Sequence, residues 1–485
     1  MSSKRFAFKA VATAAIAAAS LCVVGQAHAA VTIIINNINA AGVGFNDPTP
    51  AAPVGGNTGT TIGQQRLNAF TYAANIWGAT LTSSAPVVIN AQFTPLTCTA
   101  TGGVLGSAGA TQVFRDFANG LPSPAPKPGT WYSFALANKI AGSDLGSPAL
   151  SPQINSNFNS NLGTPGCLEA SGWYYGFDGN EGTLIDFVAV LQHEMAHGLG
   201  FQTFTSGSNG AFLSGFPAIW DHFLFSVAAN KNWVTATAAE RVASAISIDG
   251  LVWNGSTVSA AATQTLGLSP VVIVASGSAA GTYPAGDALW GAQLPAAAGS
   301  ILVTGTVVSI TEQTPGAGAG CEAFSASNAA SVNGRIALIA RGVCGFTVKA
   351  KNAQNAGATA LIISDNVNAT VSSLGGSDPT VTIPGVRVTL SAGNAMRAQL
   401  ASRSRSRGGI VATIQRSATV RAGSDLLGRV LMFAPNPFQG GSSVSHFDVS
   451  ASPNLLMEPS INADLSQLVG PPRDLTLPLF TEIGW

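Results

Sequence analysis

One stretch constrains this chain more than any other: Asp186-Phe187-Val188-Ala189-Val190-Leu191-Gln192-His193-Glu194-Met195-Ala196-His197-Gly198. Five apolar residues run without a break, and Asp186 stands where an N-cap belongs, which predicts a helix from Phe187 to about Gly198. Residues four apart share a helix face, so His193 and His197 point the same way. Two imidazoles one turn apart are a ready pair of ligands for zinc, which accepts neutral imidazole nitrogen. Glu194, beside the first of them, is placed to take a proton from a water at the same ion. The plainer alternative is an ordinary helix with two surface histidines. The apolar run ahead of the motif argues against it, because that run buries the helix.

The first residues carry a different message. Lys4, Arg5 and Lys9 precede the apolar run Ala10 to Gly25, and Ala27-His28-Ala29 has the small-x-small pattern of a cleavage site. This predicts a secretory signal peptide over residues 1–29 and an exported protein, extracellular or periplasmic. No other segment is long and apolar enough to span a bilayer. With Cys22 removed, Cys98, Cys167, Cys321 and Cys344 remain. An even count in an exported chain reads as disulfides, with three possible connectivities. The simplest pairs Cys98 with Cys167 and Cys321 with Cys344. A four-cysteine metal site competes, but no C-x-x-C spacing supports it. Lys+Arg and Asp+Glu balance at 22 each, leaving no basic footprint for nucleic acid and no polybasic patch for a membrane. The alternating Ser and Arg of Ser402 to Arg407 read as a solvated surface segment.

At 485 residues the chain exceeds a single core, and two or three domains are expected. The β-branched run from Val31 predicts a strand. Leu67, Phe70, Ala74 and Trp77 fall at helical spacing within Gln64 to Leu81. Val87 to Phe93 and Trp131 to Ala137 read as strands, whereas Gly102 to Gly129, rich in Gly and Pro, reads mostly as loop. Arg335 to Ala340, Phe346 to Ala356 and Ala360 to Ile363 read as strand, helix and strand, a compact unit of its own. From Leu426 the pattern turns irregular. Asp178, Asn180 and Glu181 crowd one turn, but lack a full calcium-loop signature and read as solvated.

Three protein ligands are normal for a catalytic zinc. Beyond the signal the histidines are 193, 197, 222 and 446, so the third ligand comes from His446 or from the Asp221-His222 pair. The motif continues His197-Gly198-Leu199-Gly200-Phe201-Gln202-Thr203. It resembles the extended metzincin signature, H-E-x-x-H-x-x-G-x-x-H, as far as Gly200, and departs from it at Thr203, where that family has a histidine. It is similar to the leishmanolysin-like branch, in which an inserted domain separates the glycine from the third histidine and a Met-turn follows. Ser445-His446-Phe447-Asp448 and Pro453-Asn454-Leu455-Leu456-Met457-Glu458-Pro459 fit that pattern, with Met457 eleven residues after His446. The resemblance implies His446 as third zinc ligand and Met457 as the apolar floor beneath the ion. Asp221 and His222 stay as the alternative source.

The segment Gly334 to Phe346, continued by Lys349, Asn352, Ala353, Ala356, Gly357 and Ala358 and by Ile383-Pro384-Gly385-Val386, resembles the protease-associated (PA) domain. The resemblance covers 270–425 and falls between Gly200 and His446, where an insertion is expected. Together these readings imply an α+β protein. A metzincin-type catalytic domain, with an active-site helix and a mixed sheet, occupies 30–269; an α/β PA domain interrupts it; residues 426–485 complete it. The implied activity is zinc-dependent endopeptidase, with Glu194 as base and a polypeptide substrate bound extended along an edge strand. A zinc-stabilised secreted binding protein or adhesin is the contrasting class. The intact Glu194 speaks against it, since a structural site needs no base.

Overall fold

The frame around the His193 helix is one sheet and two helices. In the computed structural model, which describes residues 30–118, 126–169, 171–310, 318–402, 409–462 and 464–485, the first β-branched run becomes β1 (Ile33–Asn37). It pairs in parallel with β2 (Val87–Thr94). Two further strands, β3 (Gly106–Ala110) and β4 (Ile154–Asn159), complete the sheet in the order β1-β2-β4-β3. β4 runs parallel to β2, and β3 runs antiparallel to β4 at the edge. Alternation gives the sheet two unlike faces. Ile89, Ala91, Phe93, Ile154 and Phe158 are buried on one. On the other, Asn36 Nδ2 donates to Asn90 Oδ1 at 2.7 Å and Asn90 Nδ2 to Asn155 Oδ1 at 3.0 Å.

Two helices cover the apolar face. The first, α1 (Ile62–Thr80), is capped by Thr61 and buries Ala69, Phe70, Ala73 and Trp77. The second, α2 (Phe187–Leu199), is the predicted metal helix, with Asp186 accepting from Val188 N at 2.7 Å and Ala189 N at 3.3 Å. Phe187 packs among the rings of Phe93, Phe158, Trp173 and Tyr175. At Gly198 a Cβ would lie 2.4 Å from Ile154, so the helix presses directly on β4.

Two local expectations differ from what is observed. Trp131 to Ala137, read as a strand, holds only Tyr132–Ser133 in that form and then a helix, Phe134–Ala141. Its residues are nearly all buried, so apolar continuity there reports a buried helix rather than a pleat. The Gly- and Pro-rich stretch read as loop contains β3, whose Gly-Ser-Ala-Gly-Ala sequence has no β-branched residue to announce it.

After the helix Ser256–Thr265 the chain enters a closed seven-stranded barrel. Its strands are β5 (Leu268–Val274), β6 (Gly281–Asp287), β7 (Ile301–Ser309), β8 (Ile336–Ala340), β9 (Ala360–Ser364), β10 (Gly385–Val388) and β11 (Ile410–Arg421). Around the barrel they follow the order β5-β6-β10-β9-β8-β7-β11, and β11 returns to β5. The run β7-β8-β9-β10 is parallel, with α3 (Phe346–Asn355) as the crossover between β8 and β9. The α/β unit expected here is thus a mixed barrel flanked by helices. Its apolar clusters share no residue with the first core.

The chain then rejoins the first core, where Val430–Leu431 pairs antiparallel with Leu251–Trp253. An irregular segment follows and ends in α4 (Thr476–Ile483). Cys98–Cys167 and Cys321–Cys344 are bonded, the simplest of the pairings. The expected signal peptide, 1–29, and residues 403–408 of the Ser/Arg segment lie outside the described residues. No helix among the described residues is long and apolar enough to cross a membrane.

Candidate metal centre

Helix α2 presents His193 and His197 one turn apart, and their Nε2 atoms are 3.1 Å from each other. His446 Nε2 lies 3.2 Å from both. Among the described residues these three form the one cluster of His, Cys, Asp and Glu able to hold a metal ion. Each ring is fixed from behind by a backbone carbonyl. His193 Nδ1 donates to Leu456 O at 2.7 Å, His197 Nδ1 to Phe201 O at 2.8 Å and His446 Nδ1 to Ser442 O at 2.8 Å. A carbonyl only accepts, so each Nδ1 carries the proton and each Nε2 offers a lone pair. Three lone pairs converging without a proton between them fit a cation.

Local backbone explains how the carbonyls arrive. Gly200 ends α2 at φ +132°, a conformation that side-chain-bearing residues rarely adopt, and it turns the chain so that Phe201 O reaches back to His197. His446 sits on a segment tied to its neighbour by Phe433 N to His446 O at 2.9 Å and Val444 N to Phe433 O at 2.8 Å. Met457 is fully buried, and its carbonyl accepts from Phe447 N at 2.8 Å.

Burial sets the protonation states. It holds His193 down at about 4, and with the neighbouring His193 it holds His197 at about 3. His446, 4% exposed, is held well below the ordinary imidazole value by burial and by the other two rings. The site is therefore neutral imidazole, the form that ligates. Burial pushes the Glu194 carboxyl up to about 8, against a hydrogen bond from the Ala108 backbone that pulls the other way. Glu194 lies against the edge strand: a Cβ on Gly106 would be 3.0 Å from its Cγ and 3.1 Å from its Oε1. Gly106 and Ala108 are contacts of Glu194 that the sequence did not signal, because β3 itself was read as loop.

The alternative ligands lie apart from the cluster. Asp221 is fully buried, and its carboxylate accepts from Thr203 Oγ1 at 2.6 Å, Thr205 Oγ1 at 2.5 Å and Ala218 N at 2.8 Å. It braces the turn after α2. His222 Nε2 is 3.1 Å from Thr130 Oγ1. Thr203 donates its N–H to Ser445 Oγ at 3.3 Å, so the position three residues after Gly200 touches the residue before His446. Asp178 is exposed and takes the Tyr174 hydroxyl and the Asn180 N–H, as a solvated turn would.

Residues 303–396 match the PA domain family, inside the segment that resembled it. No curated protein matches the chain. Similar solved structures include an aminopeptidase from Aneurinibacillus sp. strain AM-1, at 25% identity and a TM-score of 0.23 over 32% of each chain. A zinc aminopeptidase from Bacillus subtilis is 25% identical over 31% of this chain and 30% of its own, with a TM-score of 0.21. A psychrophilic subtilisin-like protease from Pseudoalteromonas sp. AS-11 is 18% identical over 32% and 34%, with a TM-score of 0.22. The chain spans about a third of the length of these structures.

These findings correct the expected family. What matches is the PA domain family, over residues 303–396, and not a metzincin. The leishmanolysin-like assignment does not stand, and a metzincin-type catalytic domain is not shown; what is shown is a mixed α/β protein with a PA domain. Two histidines one turn apart, a glycine at the helix end and a late histidine before a methionine describe a site. Sites of one kind recur on unrelated folds, so such a motif does not fix the family.

Proposed function

We propose that this chain is an exported zinc-dependent peptide hydrolase that cuts within polypeptides, with His193, His197 and His446 holding the metal and Glu194 carrying the proton. The reading rests on one observation above all, the three Nε2 atoms 3.1–3.2 Å apart with every Nδ1 committed to a carbonyl. Zinc–nitrogen bonds of about 2.0–2.1 Å at tetrahedral angles call for nitrogens about 3.3 Å apart, close to this triangle. When bound, zinc would supply a water made acidic near neutral pH and a polarised carbonyl.

Glu194 does the rest. Its carboxyl is held by the Ala108 N–H; the value of about 8 is that of the metal-free pocket, and beside a bound cation the carboxylate would be favoured, able to take the water's proton and pass it to the leaving amine. Strand β3, at the sheet edge beside it, offers its backbone to an extended peptide. The catalytic unit would be residues 30–269 and 426–485, with the PA insert between them. Two disulfides suit an oxidising compartment, and the signal-like first 29 residues suit export.

The test is zinc content and hydrolysis of casein and of aminopeptidase substrates, with and without a chelator. The parent should hold one zinc and cut casein. Glu194→Gln should keep zinc and lose activity by orders of magnitude. His446→Ala should lose both, whereas His222→Ala should keep both. A parent that binds zinc and cleaves nothing would instead favour the binding-protein reading, and cleavage confined to aminopeptidase substrates would overturn the endopeptidase assignment.

A further inference from the structure

Of the three carbonyls that fix the histidine rings, Leu456 O makes the shortest bond, 2.7 Å to His193 Nδ1. Yet Leu456 lies in an irregular segment, where no helix or strand ladder holds its peptide groups in place. Something else must hold it. Leu456 N donates to Asp474 Oδ2 at 2.7 Å, and the other oxygen, Oδ1, accepts from Thr476 N at 2.7 Å, in the first turn of α4. On the far side, Met457 O accepts from Phe447 N at 2.8 Å, one residue after His446. Asp474 is 2% exposed, and the proposed mechanism has no use for it.

We propose that Asp474 is a positioning residue of the metal centre, joining α4 to the His193 ring through the backbone of Leu456. The proposal rests on the reading of His193, His197 and His446 as metal ligands. A buried carboxylate is costly unless hydrogen-bonded, and here both oxygens accept from backbone N–H groups. Holding the first N–H of α4, that of Thr476, needs one oxygen. The second is committed to the residue whose carbonyl orients the ligand, so a rigid element sets the ring's place. A ligand ring left to turn freely would blur a nitrogen triangle that matters at the level of half an ångström.

Glu458 gives the control. It is equally buried, at 2% exposed, and holds the same segment through Leu455 N at 2.8 Å and Asn462 Nδ2 at 3.2 Å, without a bond to Leu456. Loosening the segment in general and releasing Leu456 in particular can therefore be told apart.

The experiment uses the full chain. Zinc affinity is measured by competition with a chromophoric chelator, and ligand geometry by the visible spectrum of the cobalt-substituted protein. Asp474→Asn sets an amide N–H against one backbone N–H; it should weaken zinc binding on the order of 10-fold and alter the cobalt spectrum. Glu458→Gln should lower the melting temperature, with zinc affinity kept within about twofold and the spectrum unchanged. Should Asp474→Asn not fold, Asp474→Glu, which keeps both acceptors but displaces them, gives the same readout. Asp474 variants with the parent's affinity and spectrum, or a Glu458→Gln variant with an equal loss, would overturn the positioning role and leave the metal reading intact. A parent that takes up neither zinc nor cobalt would remove both.

Discussion

A carboxyl that burial pushes up to about 8 keeps, in the folded protein, a proton that the unfolded chain releases above the ordinary 4.5. Between those values the folded state binds more protons, so Glu194 makes the metal-free protein less stable as pH rises. The imidazoles act in the opposite sense. Their folded values lie below 6.5, so the unfolded chain binds more protons and stability is lost as pH falls below that point. Comparing the parent with Glu194→Gln isolates the carboxyl. In a chelator the variant should melt higher, by a margin that widens as pH is raised from about 4.5 to about 8. A margin that ignores pH would mean that Glu194 is not desolvated. At this scale the sequence was most legible where geometry is local: His193 and His197 share a face because four residues make a turn. The approach of His446, 249 residues from His197, comes from chain closure that no local pattern encodes. The carbonyls of Leu456, Phe201 and Ser442 have no residue-type signature at all.

Helix α2 was readable as an element because cap, apolar run and length agree, and its observed span, Phe187–Leu199, follows. Strand β3 was not, because what makes it a strand is its partner β4 and the need to pass close to Glu194. Glycine at 106 is part of that fit. A larger side chain there would meet the Glu194 carboxyl, and since Glu194 is on a buried helix wall it is the carboxyl that must move. Gly106→Val should therefore lower hydrolysis by about two orders of magnitude, the scale of an ångström's misplacement, while zinc content stays that of the parent. Simultaneous loss of zinc would show that the strand supports the ligands rather than the base.

The whole molecule is two regions with separate apolar clusters, and the chain enters and leaves the second at neighbouring points. The PA-containing barrel begins at Leu268 and ends at Arg421, and those two residues are partners across the ladder of β5 and β11. Just outside them Ala422 N donates to Gly267 O at 2.9 Å, so the entry and exit of the insert already touch. Chain ends this close can be rejoined by a short Gly/Ser linker at little entropic cost. Across the junction Thr370 Oγ1 donates to Asp448 Oδ2 at 3.3 Å, two residues from His446. Asp448 would keep Ser450 N at 2.9 Å and Ser450 Oγ at 2.6 Å without it. The proposed ligands and base all lie outside the barrel, and each region has apolar clusters of its own. Deletion of 268–421 with such a linker should thus give a folded protein that holds zinc and cleaves short peptides at rates near the parent's. Folding is read by circular dichroism, zinc by metal analysis and turnover by a quenched fluorescent peptide. If the shortened protein folds and holds zinc but cleaves no peptide, the barrel takes part in the reaction, and the division of labour between the two regions is wrong.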